Sequence, residues 1–101
     1  MELTFQEQIA RLTISKILTP DDIPDLQEQL DKVLKNKSQK LEIDLEDCHI
    51  ITSLGIGKII SFTKDFKTKK KGEVEIIKCS ESILKLFHSI KLETLIPITE
   101  N

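Results

Sequence analysis

Apolar and polar positions alternate at the start of the chain, Leu3 and Phe5 against Thr4 and Gln6, the period of a half-buried strand over Leu3 to Gln8. Ile9 to Leu18 continues with Leu12, Ile14, Ile17 and Leu18, predicting a second strand and hence a hairpin, although no strong turn pair separates the two. The period then changes. Leu26, Leu30, Val33 and Leu34 recur at i, i+4, i+7 and i+8, one apolar stripe on a helix that ends near Asn36. Thr19 is placed to cap it, Pro20 suits a first turn, and Asp21 and Asp22 lie at the positive end of the dipole. Pro24 would break an interior hydrogen bond, so the regular helix is predicted to begin there, with the first turn separate.

Alternation returns over Lys40 to Cys48, with Leu41, Ile43 and Leu45 against Glu42, Asp44 and Glu46, which predicts a strand. Thr52-Ser53-Leu54-Gly55 turns the chain into a helix whose Ile56, Ile59, Ile60, Thr63 and Phe66 share a face. Gly72 is expected to break that helix, and Val74 to Ile77 is the next strand. Ser80 is a natural cap for a helix striped by Ile83, Leu84, Phe87 and Ile90. Leu95 to Ile98, with Pro97, reads as a short edge strand. The order β-β-α-β-α-β-α-(β) predicts an α/β fold. Its mixed sheet has about four to five strands packed against three to four helices, the opening pair supplying the antiparallel members.

Length makes 1–101 a single domain. With 39% hydrophobic and 32% charged residues, the chain has enough apolar material to fold and is unlike a disordered segment. Its apolar runs fall far short of a membrane span, and the N-terminus lacks the pattern of a signal peptide, so the cytoplasm is the expected address. A net charge of −2 lacks the electrostatic footprint of a nucleic-acid binder. The run Lys67, Lys69, Lys70 and Lys71 reads as an ordinary helix end, where cations complement the dipole.

Candidate chemistry concentrates in Asp44 to Gly57, a strand end that opens a helix, the usual place for a site in an α/β sheet. The two glycines after small hydroxyl residues leave amides uncovered, yet the third glycine of a dinucleotide fingerprint and the lysine of a P-loop are missing. Leu45-Glu46-Asp47, the hydroxyl pair Thr52-Ser53 and Gly55-Ile56-Gly57 before an amphipathic helix resemble the STAS domain of sulfate-transporter tails and bacterial anti-sigma factor antagonists. The resemblance continues through Gly72 to Ile77 and Ser80 to Leu92. It implies partner switching, in which a kinase that doubles as an anti-sigma factor phosphorylates a serine at the start of this helix. The family's Asp-Ser-Ser-Gly-Leu-Gly type pattern places that acceptor on Leu54, which cannot take a phosphoryl group, with Ser53 and Thr52 as the remaining candidates. Ser53 also suits a helix N-cap. The family's acid after the second strand falls on Thr19, and its frequent glycine on Lys91.

Enzymatic chemistry finds little support. Asp47, Cys48 and His49 are sequential, so on a strand they point to alternate faces and are poorly placed to act on one another. His88 reads as a solvated residue on a helix. Cys48 and Cys79 are too few for a disulfide framework or a CxxC site and suit small apolar fillers. Asp44, Glu46 and Asp47 read as a solvated acidic face rather than a cation site. The expectation is therefore a non-catalytic domain with no metal and no cofactor. It would contact a kinase or anti-sigma partner, but no nucleic acid, through Thr52, Ser53, Leu54, Gly55, Ile56, Gly57 and Lys58. The alternative is a STAS subunit of a membrane transport complex or other assembly, with Leu54 a permanent apolar contact.

Overall fold

A computed structural model describes residues 1–14 and 16–100. Strands β1 (Glu2–Gln6), β2 (Ile9–Thr13), β4 (Lys40–Asp44), β6 (Glu73–Cys79) and β7 (Ile98–Glu100) form one sheet in the order β1-β2-β4-β6-β7. β1 and β2 are antiparallel and the remaining neighbours parallel, which makes the mixed sheet that the alternation predicts. Helices α1 (Ile23–Lys35), α2 (Ser53–Lys70) and α3 (Glu81–Ser89) complete the fold.

Register explains the layering. Leu3, Leu12, Ile43 and Ile76 lie side by side across β1, β2, β4 and β6, with Ala10, Leu41 and Val74 in the next row. Both rows from β2 to β6 are buried with Leu26, Leu30, Val33, Ile59, Phe66 and Phe87 of the helices. The opposite face is a charged lattice: Arg11 pairs with Glu42 at 3.0 Å and Lys40 with Glu75 at 3.1 Å. Such partly exposed pairs contribute on the order of 0.2–1 kcal/mol each, so the apolar rows, not the ion pairs, hold the sheet to its helices. The Glu75 carboxylate also raises the Lys40 ammonium above its ordinary value through its hydrogen bond.

Four boundaries differ from the periodicity. Lys40–Cys48 is not one strand, because the Asp44 carboxylate accepts the Glu46 amide at 3.0 Å and the Cys48 amide donates to the Leu45 carbonyl at 3.1 Å. That turn ends β4, and the chain resumes as β5 (Cys48–Ile51) in a separate two-stranded sheet, parallel to β3 (Lys16–Leu18). Asp44 is accordingly buried, not solvated. The expected strand Ile9–Leu18 divides in the same way into β2 and β3, and Ser15 between them lies outside the described residues. At the other end, Leu92–Thr94 is a 3₁₀ turn and β7 starts after Pro97, whose carbonyl accepts the Ile76 amide at 2.9 Å. Ile90 falls past the end of α3 and is exposed rather than part of its stripe.

Helix starts follow the sequence more closely. Pro20–Asp22 is a separate 3₁₀ turn before α1, and the Asp22 carboxylate accepts both the amide and the hydroxyl of Thr19, at 2.8 and 3.0 Å. The amide bond is the main cause that holds the Asp22 carboxyl below its ordinary value. Ser80 caps α3 through the Ile83 amide.

Among the described residues, four left-handed positions with φ near +55° are all non-glycine: Glu7 in the hairpin, Lys71, Lys78 at the irregular β6–β7 pairing, and Lys91. Glu7 supplies the turn that no sequence signal announced. Lys71, not Gly72, is the left-handed residue that ends α2. Gly72 is required for another reason, because a Cβ there would meet the Phe66 ring at 2.5 Å. Phe66 is fully buried and stacks on Phe62 with centroids 5.1 Å apart.

Cys48 and Cys79 are both buried at strand ends, as small fillers would be. Burial pushes the Cys79 thiol up to about 11 from its ordinary 9.0, with smaller contributions from Cys48 and Glu100.

Two stability measurements test these assignments. Gly72→Ala should lower the unfolding free energy by about 1–3 kcal/mol, whereas Lys91→Gly should raise it by about 0.5–1 kcal/mol by relieving left-handed strain; urea denaturation reads both, and an unaffected Gly72→Ala would contradict the close approach to Phe66. Because the thiolate is the reactive form, Cys79 should resist a disulfide reagent at pH 8 until the chain unfolds. The unfolded thiol ionises first, so its effect on stability is flat below pH 9.0 and unfavourable as pH rises toward about 11. Immediate reaction of both thiols in the native protein would contradict this.

Candidate functional site

The site is built where β5 hands the chain to α2. Thr52 has extended backbone, and its hydroxyl accepts the Gly55 amide at 3.2 Å while its carbonyl accepts the Ile56 amide at 3.0 Å. Thr52 is therefore the N-cap, a role that the sequence assigned to Ser53. Ser53 is instead the first helical residue, exposed, and its hydroxyl makes no hydrogen bond among the described residues.

Helical geometry sorts the remaining positions. Gly55 and Ile56 face inward and are buried, so their part is to anchor the helix, and neither offers the contact surface expected of them. Leu54 is 52% exposed, and Gly57 is also exposed. A Cβ at Gly57 would meet nothing within 4 Å. Lys58 is half-buried. Ile50, the third residue of strand β5, is 55% exposed. Two large aliphatic side chains thus stand in solvent on either side of the Thr52 cap. Burying such side chains is worth about 1.5–3 kcal/mol each.

Beside this apolar pair runs an open groove of about 480 Å³ between α1 and α2, lined on the α2 side by Leu54, Lys58, Phe62 and Asp65, and on the α1 side by Asp31 and Leu34. The α1 residues were not legible as site residues. They lie about a turn apart on a helix whose stripe reads simply as core, and only tertiary packing brings them to α2. Ile50 likewise carries no site signal in the sequence, and it is β5 that turns it outward.

The other expected candidates disperse. Cys48 is buried and its thiol faces the Ile50 carbonyl at 3.6 Å, while His49 is exposed on the other side of the strand; the two are not brought together for catalysis. His88 is exposed on α3. No cluster of three or more metal-ligating side chains occurs among the described residues. Thr19, the position of the family's acid, follows Leu18, which pairs with Ile51. The small sheet therefore delivers Thr19 and its partner Asp22 beside the Thr52 cap.

No described helix is long and apolar enough to cross a membrane. A comparison with curated protein sequences finds no match. Solved structures do match in fold. A Thermotoga maritima protein described as a candidate anti-sigma factor antagonist superposes with a TM-score of 0.87 at 16% identity, covering 99% of this chain and 86% of its own. An anti-sigma factor antagonist from Mycobacterium paratuberculosis gives 0.85 at 15%, covering 99% and 84%. The antagonist SpoIIAA in its unphosphorylated form gives 0.76 at 11%, covering 99% and 86%. The family model for the STAS domain matches residues 1–101, the span that carries the sheet, the cap and the exposed helix start, and the chain belongs to the STAS domain family.

Proposed function

We propose that this domain is a non-catalytic regulator of the anti-sigma factor antagonist kind. It docks onto a protein partner, a kinase or anti-sigma factor, through the N-terminal end of α2. The observation that carries the reading is the exposure of Leu54 and Ile50 around a well-formed helix cap. An isolated exposed leucine means little. Leu54 lines a groove with Ser53, Lys58 and Asp31, and exposed Ile50 stands across the cap from it; together they have the composition of an interface centre, an apolar anchor with a polar surround.

Leucine at the family's acceptor position makes the contact constitutive rather than phosphate-switched. A phosphate at residue 54 would add nearly two negative charges to the surface and change partner choice. Leu54 removes that possibility and offers hydrophobic area instead. Ser53 does not replace the acceptor directly, because consecutive helical residues point about 100° apart. Its unbonded, exposed hydroxyl nevertheless leaves it, ahead of Thr52, as the remaining candidate; the Thr52 hydroxyl is committed to the Gly55 amide.

Capture from native lysate, with mass spectrometry of the bound proteins and of the peptide over residues 52–58, identifies the partner and any phosphate. An ATPase-type kinase without phosphate on the bait is the expected result, and recovery of a membrane transport complex instead would sink the sigma-factor reading. With the partner in hand, Leu54→Asp and Gly57→Arg should each weaken binding by about 30-fold or more while leaving the melting temperature within a few degrees, since both positions are exposed. Unchanged affinity in both variants would remove this surface from the account.

A further inference from the structure

The lysines near the end of α2 gain a meaning from packing that their sequence position does not give them. Lys70 donates through Nζ to the Asn36 carbonyl, and the Glu73 amide donates to the Gln39 carbonyl at 3.0 Å. These bonds bring the α1–β4 connection against the α2–β6 connection. Lys35 and Lys37 therefore join Lys69, Lys70 and Lys71 around Asn36. Lys35, Lys37, Lys69 and Lys71 are exposed and make no ion pair or side-chain hydrogen bond among the described residues. The acids at this end are Glu7, Glu73, Asp31 one helical turn before Lys35, Asp65 one turn before Lys69, and Glu93, which lines a groove with Lys67. The same end also carries Lys32, Lys67 and Lys91, and the two helix C-termini offset about one further charge. A clear positive excess remains.

Placement matters as much as charge. Both connections lead into the amino ends of the parallel strands β4 and β6, whereas Thr52 and Leu54 follow from their carboxyl ends. The lysine cluster and the exposed Leu54 thus occupy opposite ends of the sheet and of α2, with Lys69 at the far end of the groove that Leu54 begins. The whole chain has 15 basic and 17 acidic residues, and with eight cations and five acids at this end the remaining seven basic and twelve acidic residues leave the rest acidic. An extended polyanion that ran along the molecule would meet that acidic remainder. A planar anionic surface would touch the lysine end alone. The cluster also has no interleaved aromatic residue to stack on bases.

We propose that Lys35, Lys37, Lys69, Lys70 and Lys71 form a peripheral contact for an anionic phospholipid surface, which orients the domain with the α2 N-terminus facing away from the lipid. The attraction is electrostatic, needs no inserted apolar segment, and is sensitive to salt. It does not depend on which protein partner the other end binds.

The test is co-sedimentation of the intact chain with vesicles of phosphatidylcholine carrying about 30% phosphatidylserine, against pure phosphatidylcholine. At about 50 mM salt the protein should sediment with the anionic vesicles alone, and release at about 500 mM. The triple substitution Lys37→Glu, Lys69→Glu and Lys71→Glu should weaken this by about 100-fold or more with unchanged circular dichroism. Reversal of Lys78, at the carboxyl end of β6, and of Lys85 on α3 should retain most of the binding. Failure to sediment, equal sedimentation with neutral vesicles, undiminished binding by the triple variant, or retention by duplex DNA but not by vesicles would each overturn the proposal.

Discussion

Leu12, Ile43 and Ile76 lie side by side across the three central parallel strands, each fully buried, and the helices pack on that row because the opposite face is charged. Every later feature inherits this one-sidedness. α1 and α2 must share the same apolar face, so a groove forms where they meet. Their amino and carboxyl ends then fall at opposite rims of the sheet. The docking end and the lysine end are thus consequences of which face of β4 is apolar, a choice made by residues that touch neither.

The small second sheet is the departure that turns a plain layered fold into one with a displayed helix start. Asp44 ends the central strand by accepting the Glu46 amide, and β5 leaves the main sheet to pair with β3. Without that exit, the alternation of Leu41, Ile43 and Leu45 would continue and the Thr52 cap would lie elsewhere. The Asx turn costs little because the buried carboxylate keeps a hydrogen-bond partner, yet it decides where Ile50 and Leu54 emerge.

Much of this was legible in the chain. Period-two alternation in β2 and β4 and the stripes of α1 and α3 report burial directly, because each depends on a single face. The β4–β5 break was hidden, since Leu45 is as buried as a continuing strand would require and the turn is marked by hydrogen bonds of Asp44 and Leu45 rather than by a turn residue. Left-handed Lys71 and Lys91 were invisible for a related reason: no residue type announces a strained backbone, and Gly72, which drew attention, serves the Phe66 ring instead. For the site, the helix start could be read from Thr52 to Gly57. Its α1 wall, Asp31 and Leu34, could not, because proximity across the groove is tertiary. The inward direction of Gly55 and Ile56 separates the residues that build the surface from those that present it.

Hydrogen exchange of the domain, alone and with its captured protein partner, tests the central claim most directly, because it reports which backbone amides are covered without altering any residue. The account predicts added protection over residues 50–61 and along the α1 wall at 27–34, with the charged sheet face and the Lys35–Lys71 end unchanged. Protection centred on that sheet face or on the lysine end, with residues 50–61 unaffected, would contradict it.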